Sequence, residues 1–199
     1  MRFIESILLK DGAYHNLSLH QKRVDRTFEQ FMPKLTSHDL ERILPKLALN
    51  GSYKVRLIYG TDVPGKGYEV EYAEYIPCSI QSLQIMPTPT FDYSFKYENR
   101  EQINSLVSKS NADDIIISVD GMITDGSYFN LVFWDGQEWV TPHTHLLNGV
   151  RRQQLLLEGK IKEAPISLSE LGAFKKVSLI NSMLDLGAIE LTMNQILKG

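Results

Sequence analysis

The sequence predicts a mixed α/β (α+β) protein, a small N-terminal α/β domain followed by a larger C-terminal α/β domain, and three observations lead there. Apolar residues alternate at period two in some segments and recur at helical spacing in others, with neither pattern dominating. The run Met86-Pro87-Thr88-Pro89-Thr90 sets two prolines among small residues, which favours an extended crossing and stops either kind of element. Of the 199 residues, 43% are apolar, enough to bury a core. The expected division is residues 1–86, a linker over 87–90, and residues 91–199.

Ile4 and Leu8 lead into Asp11-Gly12, a turn signal, and with Leu17 to Leu19 beyond it the start reads as a β-hairpin. Val24, Phe28 and Phe31 then recur at helical spacing from His20 to Phe31, ending near Pro33. Ser37 is placed to cap a second helix that buries Leu40, Ile43, Leu44 and Leu47 and stops at Asn50-Gly51. Tyr53, Val55, Leu57 and Tyr59 share one face of a strand, and Gly67 to Ile76 reads as its partner across the loop from Gly60 to Gly67. Past the prolines, Arg100 to Val107 is helical and Asp114 to Val119 is a buried strand. Phe129 to Trp134 and Glu138 to Thr141 form a hairpin across Asp135-Gly136. Gly149 opens a helix through Leu157, Ser167 to Glu170 is a capping box, and Val177 to Ile180 is one more strand.

Composition excludes several function classes. The formal net charge of -3, from 21 basic and 24 acidic residues, gives no basic excess to steer the chain to nucleic acid or anionic lipid. The single cysteine, Cys78, cannot form an intramolecular disulfide, which fits a reducing cytoplasm, and no Cys/His cluster has zinc-ligand spacing. The apolar run Phe3 to Leu9 contains Glu5 and ends in Lys10-Asp11-Gly12, unlike a signal peptide. No segment approaches the roughly 20 apolar residues of a membrane span. No nucleic-acid or membrane partner is expected.

Chemistry is expected where polar residues interrupt structure without an evident folding reason. Lys96 sits among Tyr93, Phe95 and Tyr97, where partial burial would make an amine nucleophilic, although read alone it is more often a surface lysine resting its stem on aromatic rings. Gly121 to Asn130 places Thr124, Asp125 and Asn130 between two strands, although read alone it is more often a polar loop. Leu147 to Arg152 puts Gly149 at a helix start, whose free amides suit a phosphate, or are simply capped. Arg56, on the polar face of its strand, is a candidate for a substrate carboxylate and equally reads as a solvent-facing arginine. There is no P-loop and no G-x-S-x-G elbow. His143 and His145 lack further ligands, so no metal is expected.

Taken in order, these pieces resemble the class IV aminotransferases, the pyridoxal-phosphate family of fold type IV that includes the branched-chain and D-amino acid aminotransferases and 4-amino-4-deoxychorismate lyase. The family's opening F-E-T, D-G and H-x-x-R is similar to Ile4-Glu5-Ser6, Asp11-Gly12 and His20-Gln21-Lys22-Arg23. Its K-x-x-N-R/Y segment is matched by Lys96-Tyr97-Glu98-Asn99-Arg100, followed by Ala112-Asp113-Asp114. Its long signature is followed through Gly121 to Asn130, Phe133, Thr141-Pro142 and Leu147 to Arg152. Members usually carry a further stretch with an R-G-x-x-x-G-D-G segment before the F-E-T strand. This sequence begins two residues before Phe3, so pocket wall and dimer geometry are expected to differ.

The resemblance implies a C-terminal pseudo-barrel domain, pyridoxal 5'-phosphate as cofactor and a homodimer. Lys96 would carry the cofactor covalently and, once released by an amino substrate, move the proton between substrate carbon and cofactor. Arg23 would grip the phosphate bidentately, with the amides of Val150 and Arg151 and the residues Asn181 and Ser182 completing its seat. Asp125 takes the place of the glutamate that keeps the pyridine nitrogen protonated, one methylene shorter. Arg151 replaces a usual threonine. Ser127, Tyr128 and Phe129 would lie beside the substrate. Three functions follow: a lyase like 4-amino-4-deoxychorismate lyase, releasing pyruvate and 4-aminobenzoate for folate synthesis; an aminotransferase using 2-oxoglutarate with a branched-chain or D-amino acid; or a non-catalytic member of the fold. Asn99-Arg100 and the single half-reaction of the lyase favour the first.

Overall fold

The computed structural model describes residues 1–198 and divides the chain into two units, one of residues 1–77 with 95–99, the other of 78–94 and 100 onward. The first holds β1 (Phe3–Lys10), β2 (Ala13–Tyr14), α1 (Leu17–Phe31), α2 (Leu40–Ile43), β3 (Ser52–Tyr59) and β4 (Tyr68–Glu74). Its strands lie in the order β2-β1-β3-β4, antiparallel throughout. Along β1 the odd positions Phe3, Glu5, Ile7 and Leu9 are all buried, and the apolar three pack with Val24 and Phe28 of α1 and with Val55, Leu57 and Tyr59 of β3. Period two on the strand and three-to-four spacing on the helix thus meet in one core.

Two expectations in this unit are corrected. Leu17 to Leu19 open α1 and do not complete a hairpin, because Asn16 takes a left-handed conformation (φ 54°) that asparagine tolerates and turns the chain into the helix early. The second helix ends at Ile43, four residues short of Leu47, because Leu44 precedes Pro45 and is driven to an extended conformation (φ -85°, ψ 125°). Its cap is Asp39, which accepts from the Glu41 amide, while Ser37 donates its hydroxyl to Asp25.

The second unit contains β5 (Leu83–Thr88), α3 (Glu101–Val107), β6 (Asp114–Val119), β7 (Met122–Gly126), β8 (Asn130–Trp134), β9 (Trp139–Pro142), α4 (Val150–Leu157), β10 (Lys162–Ala164), β11 (Lys176–Ile180), β12 (Glu190–Thr192) and β13 (Ile196–Leu197). Its strands follow the path β10-β9-β8-β7-β6-β5-β13, and β11 branches from β8 to pair with β12. β8 and β11 are buried on both faces: Leu131, Phe133, Val177 and Leu179 join one cluster with Ile116 and Ile123. Val132 and Ile180 join another with Leu155 of α4. This second cluster seats α4 on the sheet and fixes where its first turn lies. The capping box at Ser167 and Glu170 is present and opens a 3-10 turn over Leu168–Ala173.

The division also falls earlier than the expected boundary at 86, and the expected linker begins inside β5. That strand runs parallel to β6 from Leu83 beside Asp114 to Thr88 beside Val119. On its other side β13 reaches only Leu83 and Gln84, so Pro87 stands at an edge where its missing N–H breaks no ladder bond. β7 was expected as polar loop. Its polar atoms are satisfied internally, as when Thr124 donates to the Ile117 carbonyl (2.7 Å), so a strand forms despite its composition.

Phe133→Ala, at a fully buried position, is expected to lower unfolding free energy by roughly 3–5 kcal/mol, and Leu157→Ala, at the exposed end of α4, by less than about 0.5 kcal/mol, both read from urea unfolding.

Candidate active site

In the first unit the site-bearing residues gather around Glu5. Its carboxylate is fully buried and accepts Nε–H of Arg23 (2.7 Å), Nη2–H of Arg23 (2.5 Å) and Nδ1–H of His20 (2.5 Å). Burial would push the Glu5 carboxyl up, but the Arg23 charge and the hydrogen bonds from His20 and Arg23 outweigh it and hold it at about 2. Burial in turn pushes His20 down, against Glu5, with Arg23 and Lys96 adding to the downward push, so the imidazole is neutral and donates. Lys96 is brought here by backbone pairing: its carbonyl accepts the Ile4 amide (2.9 Å), Tyr97 bridges Phe3, and the Glu98 amide donates to Arg2. Segment 95–99 therefore lies along β1 beside Glu5.

This geometry alters two expected roles. The side-on fork of Arg23, Nε with Nη2, grips Glu5, so the bidentate contact expected for a phosphate is made to a carboxylate. Arg56 donates to Glu71 (3.0 Å) and to Glu98 (2.9 Å), and Arg2 holds the other oxygen of Glu98 at 2.5 Å. Arg56 is thus part of an ion-pair network reaching the lysine segment, which corrects its reading as an uncommitted substrate ligand.

In the second unit Asp125, at the end of β7, is buried and faces Asn130 across a tight turn. One oxygen accepts Nδ2–H of Asn130 (2.7 Å), and the other accepts the amides of Leu146 (3.1 Å) and Leu147 (2.8 Å). Burial raises its carboxyl to about 6 despite these donors. Three of roughly four lone-pair sites are used. The Asp125 side chain thus binds the loop before α4. Asn130 also donates to the Leu147 carbonyl (3.0 Å), and a Cβ on Gly149 would stand 2.0 Å from its Oδ1, so only glycine fits at 149.

Val150 and Arg151 open α4, and both are buried. Gly149 supplies no side-chain cap and the first turn holds no acidic residue, so the electropositive helix start stands uncompensated within its own turn. Asn181 follows β11 and turns its Oδ1 back to the amides of Met183 (2.7 Å) and Leu184 (3.0 Å), an Asx turn that presents Ser182 next to it.

Ser127, Tyr128 and Phe129 part company. The Ser127 hydroxyl donates to Asp114 (2.8 Å), and Phe129 is a core residue folded over Gly126, where a Cβ would meet its ring at 2.0 Å. Of the three residues expected beside the substrate, only Tyr128 has an exposed side chain. Two residues carry more than the sequence reading gave them. Glu5 had a usable signal, a carboxylate on the apolar face of an alternating strand. Asp114, at the start of its strand, is the buried acceptor of Ser127, and its carboxyl is raised by burial.

The folded Glu5 lies below its ordinary 4.5, so its stabilisation is complete above that pH and lost as pH falls toward about 2. Acid unfolding is expected to show roughly 3 kcal/mol lost over this window, absent in Glu5→Gln. The raised Asp125 acts with the opposite sign: its burial cost is relieved as pH falls through about 6, and Asp125→Asn should remove that component from stability measured between pH 7 and 4.

Comparison with known proteins places the chain. The family model Amino-transferase class IV matches residues 2–191. An uncharacterised protein of Haemophilus influenzae Rd is 32% identical over 184 residues, covering 90% of this chain and 96% of its own. A crystal structure from Haemophilus somnus 129PT, provisionally named a 4-amino-4-deoxychorismate lyase, superposes with a TM-score of 0.85 at 28% identity, over 93% of this chain and 97% of that one. A hypothetical aminotransferase of Mycobacterium tuberculosis in its PLP-bound form has a TM-score of 0.78 at 16% identity, over 98% and 81%. The order of motifs, the mixed α/β fold and the family match agree, and this protein belongs to the class IV aminotransferase family of pyridoxal-phosphate-dependent enzymes.

Proposed function

We propose that the protein is a lyase that releases pyruvate from 4-amino-4-deoxychorismate and leaves 4-aminobenzoate for folate synthesis, with Lys96 as its catalytic residue. The observation that carries this reading is Arg100, whose Nη2 donates to the Ser127 carbonyl at 2.6 Å. Asn99-Arg100 after the lysine is the feature that resembles lyase members, and here the arginine pins the turn that carries Tyr128. A fixed turn suits an enzyme that admits one substrate and completes one half-reaction. The likeness to the Haemophilus somnus protein supports the same reading.

The donors in the chain fit pyridoxal 5'-phosphate. The start of α4 is buried, has no side-chain cap and carries no acidic residue in its own first turn, which suits an anion seat, and Gly149 brings the backbone close. When bound, the cofactor draws electrons from the amine-bearing carbon of the substrate. Lys96 Nζ would carry it and move the proton at that carbon. Asp125 would hold the ring nitrogen through its remaining lone-pair site, and the amides of Val150 and Arg151 with Ser182 and Asn181 would hold the phosphate. Arg23, oriented by Glu5, would add its charge there. Tyr128 would contact substrate. We place the enzyme in the cytoplasm as a homodimer, on the lone cysteine and the family resemblance.

Purified protein is expected to absorb in the visible range through the lysine-bound cofactor, and Lys96→Ala to lose that absorbance. Added 4-amino-4-deoxychorismate should release pyruvate with no keto acid present. Amino transfer from an amino acid to 2-oxoglutarate, without pyruvate release, would instead make the protein an aminotransferase.

A further inference from the structure

Ser127 and Tyr128 form the tip of the hairpin between β7 and β8. Its stem is short: β7 meets β8 at Asp125 and Asn130, and the Gly126 amide closes the turn on the Phe129 carbonyl (2.9 Å). A tip on so short a stem has little of its own to hold it in one conformation. Three contacts from elsewhere in the same unit hold it instead. Arg100, just before α3, donates Nη2–H to the Ser127 carbonyl (2.6 Å). Asp114, the first residue of β6, accepts the Ser127 hydroxyl (2.8 Å), and Asn181, which follows β11, brings its Nδ2 within 3.4 Å of the Tyr128 carbonyl. Phe129 is folded into the core, and the Tyr128 ring stands edge-on to it, with centroids 5.1 Å apart at 80°. Tyr128 itself is 37% exposed, so a firmly held backbone presents one open aromatic side chain.

Asp114 is the member of this set that folding explains least. It is 5% exposed, and burying a carboxylate forfeits hydration that its partners must replace. Entry into β6 does not require it, because the exposed Asp113 already ties down that end of the strand: it accepts the amides of Gln81 (2.8 Å) and Ser82 (3.0 Å) and the Ser82 hydroxyl (3.1 Å). One Asp114 oxygen accepts the amide of its own neighbour Ile115 (2.7 Å), and the other is turned to Ser127, thirteen residues along the chain. A buried carboxylate aimed at a hairpin tip is placed as a support for the residue that the tip carries. We propose that Asp114 is a positioning residue: through Ser127 it fixes the turn that presents Tyr128, so that the tyrosine meets the substrate without first having to be ordered. The proposal rests on Tyr128 being a substrate contact.

The test has two arms. Amide hydrogen exchange reads the turn whatever the reaction is: the Gly126 amide, which closes the turn, should exchange at least about threefold faster in Asp114→Ala and in Ser127→Ala, while the Val132 amide in β8 keeps its rate. Asp114→Asn, whose side-chain amide can donate to the Ser127 hydroxyl, should restore most of the protection. Should Asp114→Ala fail to fold, Ser127→Ala breaks the same hydrogen bond from its other end. The second arm is steady-state kinetics of the holoenzyme, on pyruvate release or on amino transfer, whichever the wild type performs. Ser127→Ala should raise KM roughly 3- to 10-fold, the range of one side chain that has to be ordered on binding, and change kcat less than about twofold. In a Tyr128→Ala background the same substitution should move KM by less than about 1.5-fold, because nothing is left to position. Unchanged Gly126 exchange in both variants, or an equal effect on KM with and without Tyr128, overturns the proposal. A Tyr128→Ala variant whose KM is unchanged, while Gly126 exchange responds, removes instead the reading of Tyr128 as a substrate contact.

Discussion

The Asp125 carboxylate ties together three pieces of chain. It lies at the end of β7, takes a side-chain donor from Asn130 at the start of β8, and takes two amides from the loop that delivers α4. A buried carboxylate is costly, and each donor offsets part of that cost only if the loop holds its place. The loop position in turn requires the missing Cβ at Gly149, because Asn130 occupies that space. The first turn of α4 is therefore placed from two sides, by hydrogen bonds beneath it and by the apolar contact of Leu155 with Val132 and Ile180.

The first unit is organised around the same kind of group with the opposite balance. Glu5 is also buried, but a guanidinium answers it directly, so its carboxyl falls to about 2 where that of Asp125 rises to about 6. Full charge opposite full charge outweighs desolvation, whereas amide and side-chain dipoles outweigh it only in part. One chain thus keeps two interior carboxyls that change protonation in separate pH ranges.

Much of this was legible from the residues. Alternation along β3, the consecutive isoleucines of β6 and helical spacing in α1 were strong signals because each of these elements buries a well-defined apolar set. β5 was hidden by Pro87, whose edge position matters only once the short reach of β13 is known, and β7 by side chains that are polar yet internally satisfied. The short α2 could have been read correctly from Pro45. Among candidate site residues, motif order picked out Lys96, Arg23, Asp125 and Gly149, but not which way side chains turn: Phe129 goes into the core, Ser127 to Asp114, and Arg56 to Glu71 and Glu98. Those choices depend on neighbours far away in sequence, which spacing does not encode.

The pairing of segment 95–99 with the start of β1 makes the first unit discontinuous in sequence. β1 is covered along one side by β3, while on the other β2 reaches only Leu9 and Lys10 and the lysine segment covers the beginning. A chain emerging from the ribosome cannot close that edge until Asn99 is available, long after β1 has been made. Until then the unpaired amide of Ile4 and the apolar Phe3 beside it are open to any extended strand nearby. The segment that bears Lys96 is thus also the guard of a sheet edge, and selection to keep the protein from self-association falls on the same few residues as the chemistry proposed for Lys96.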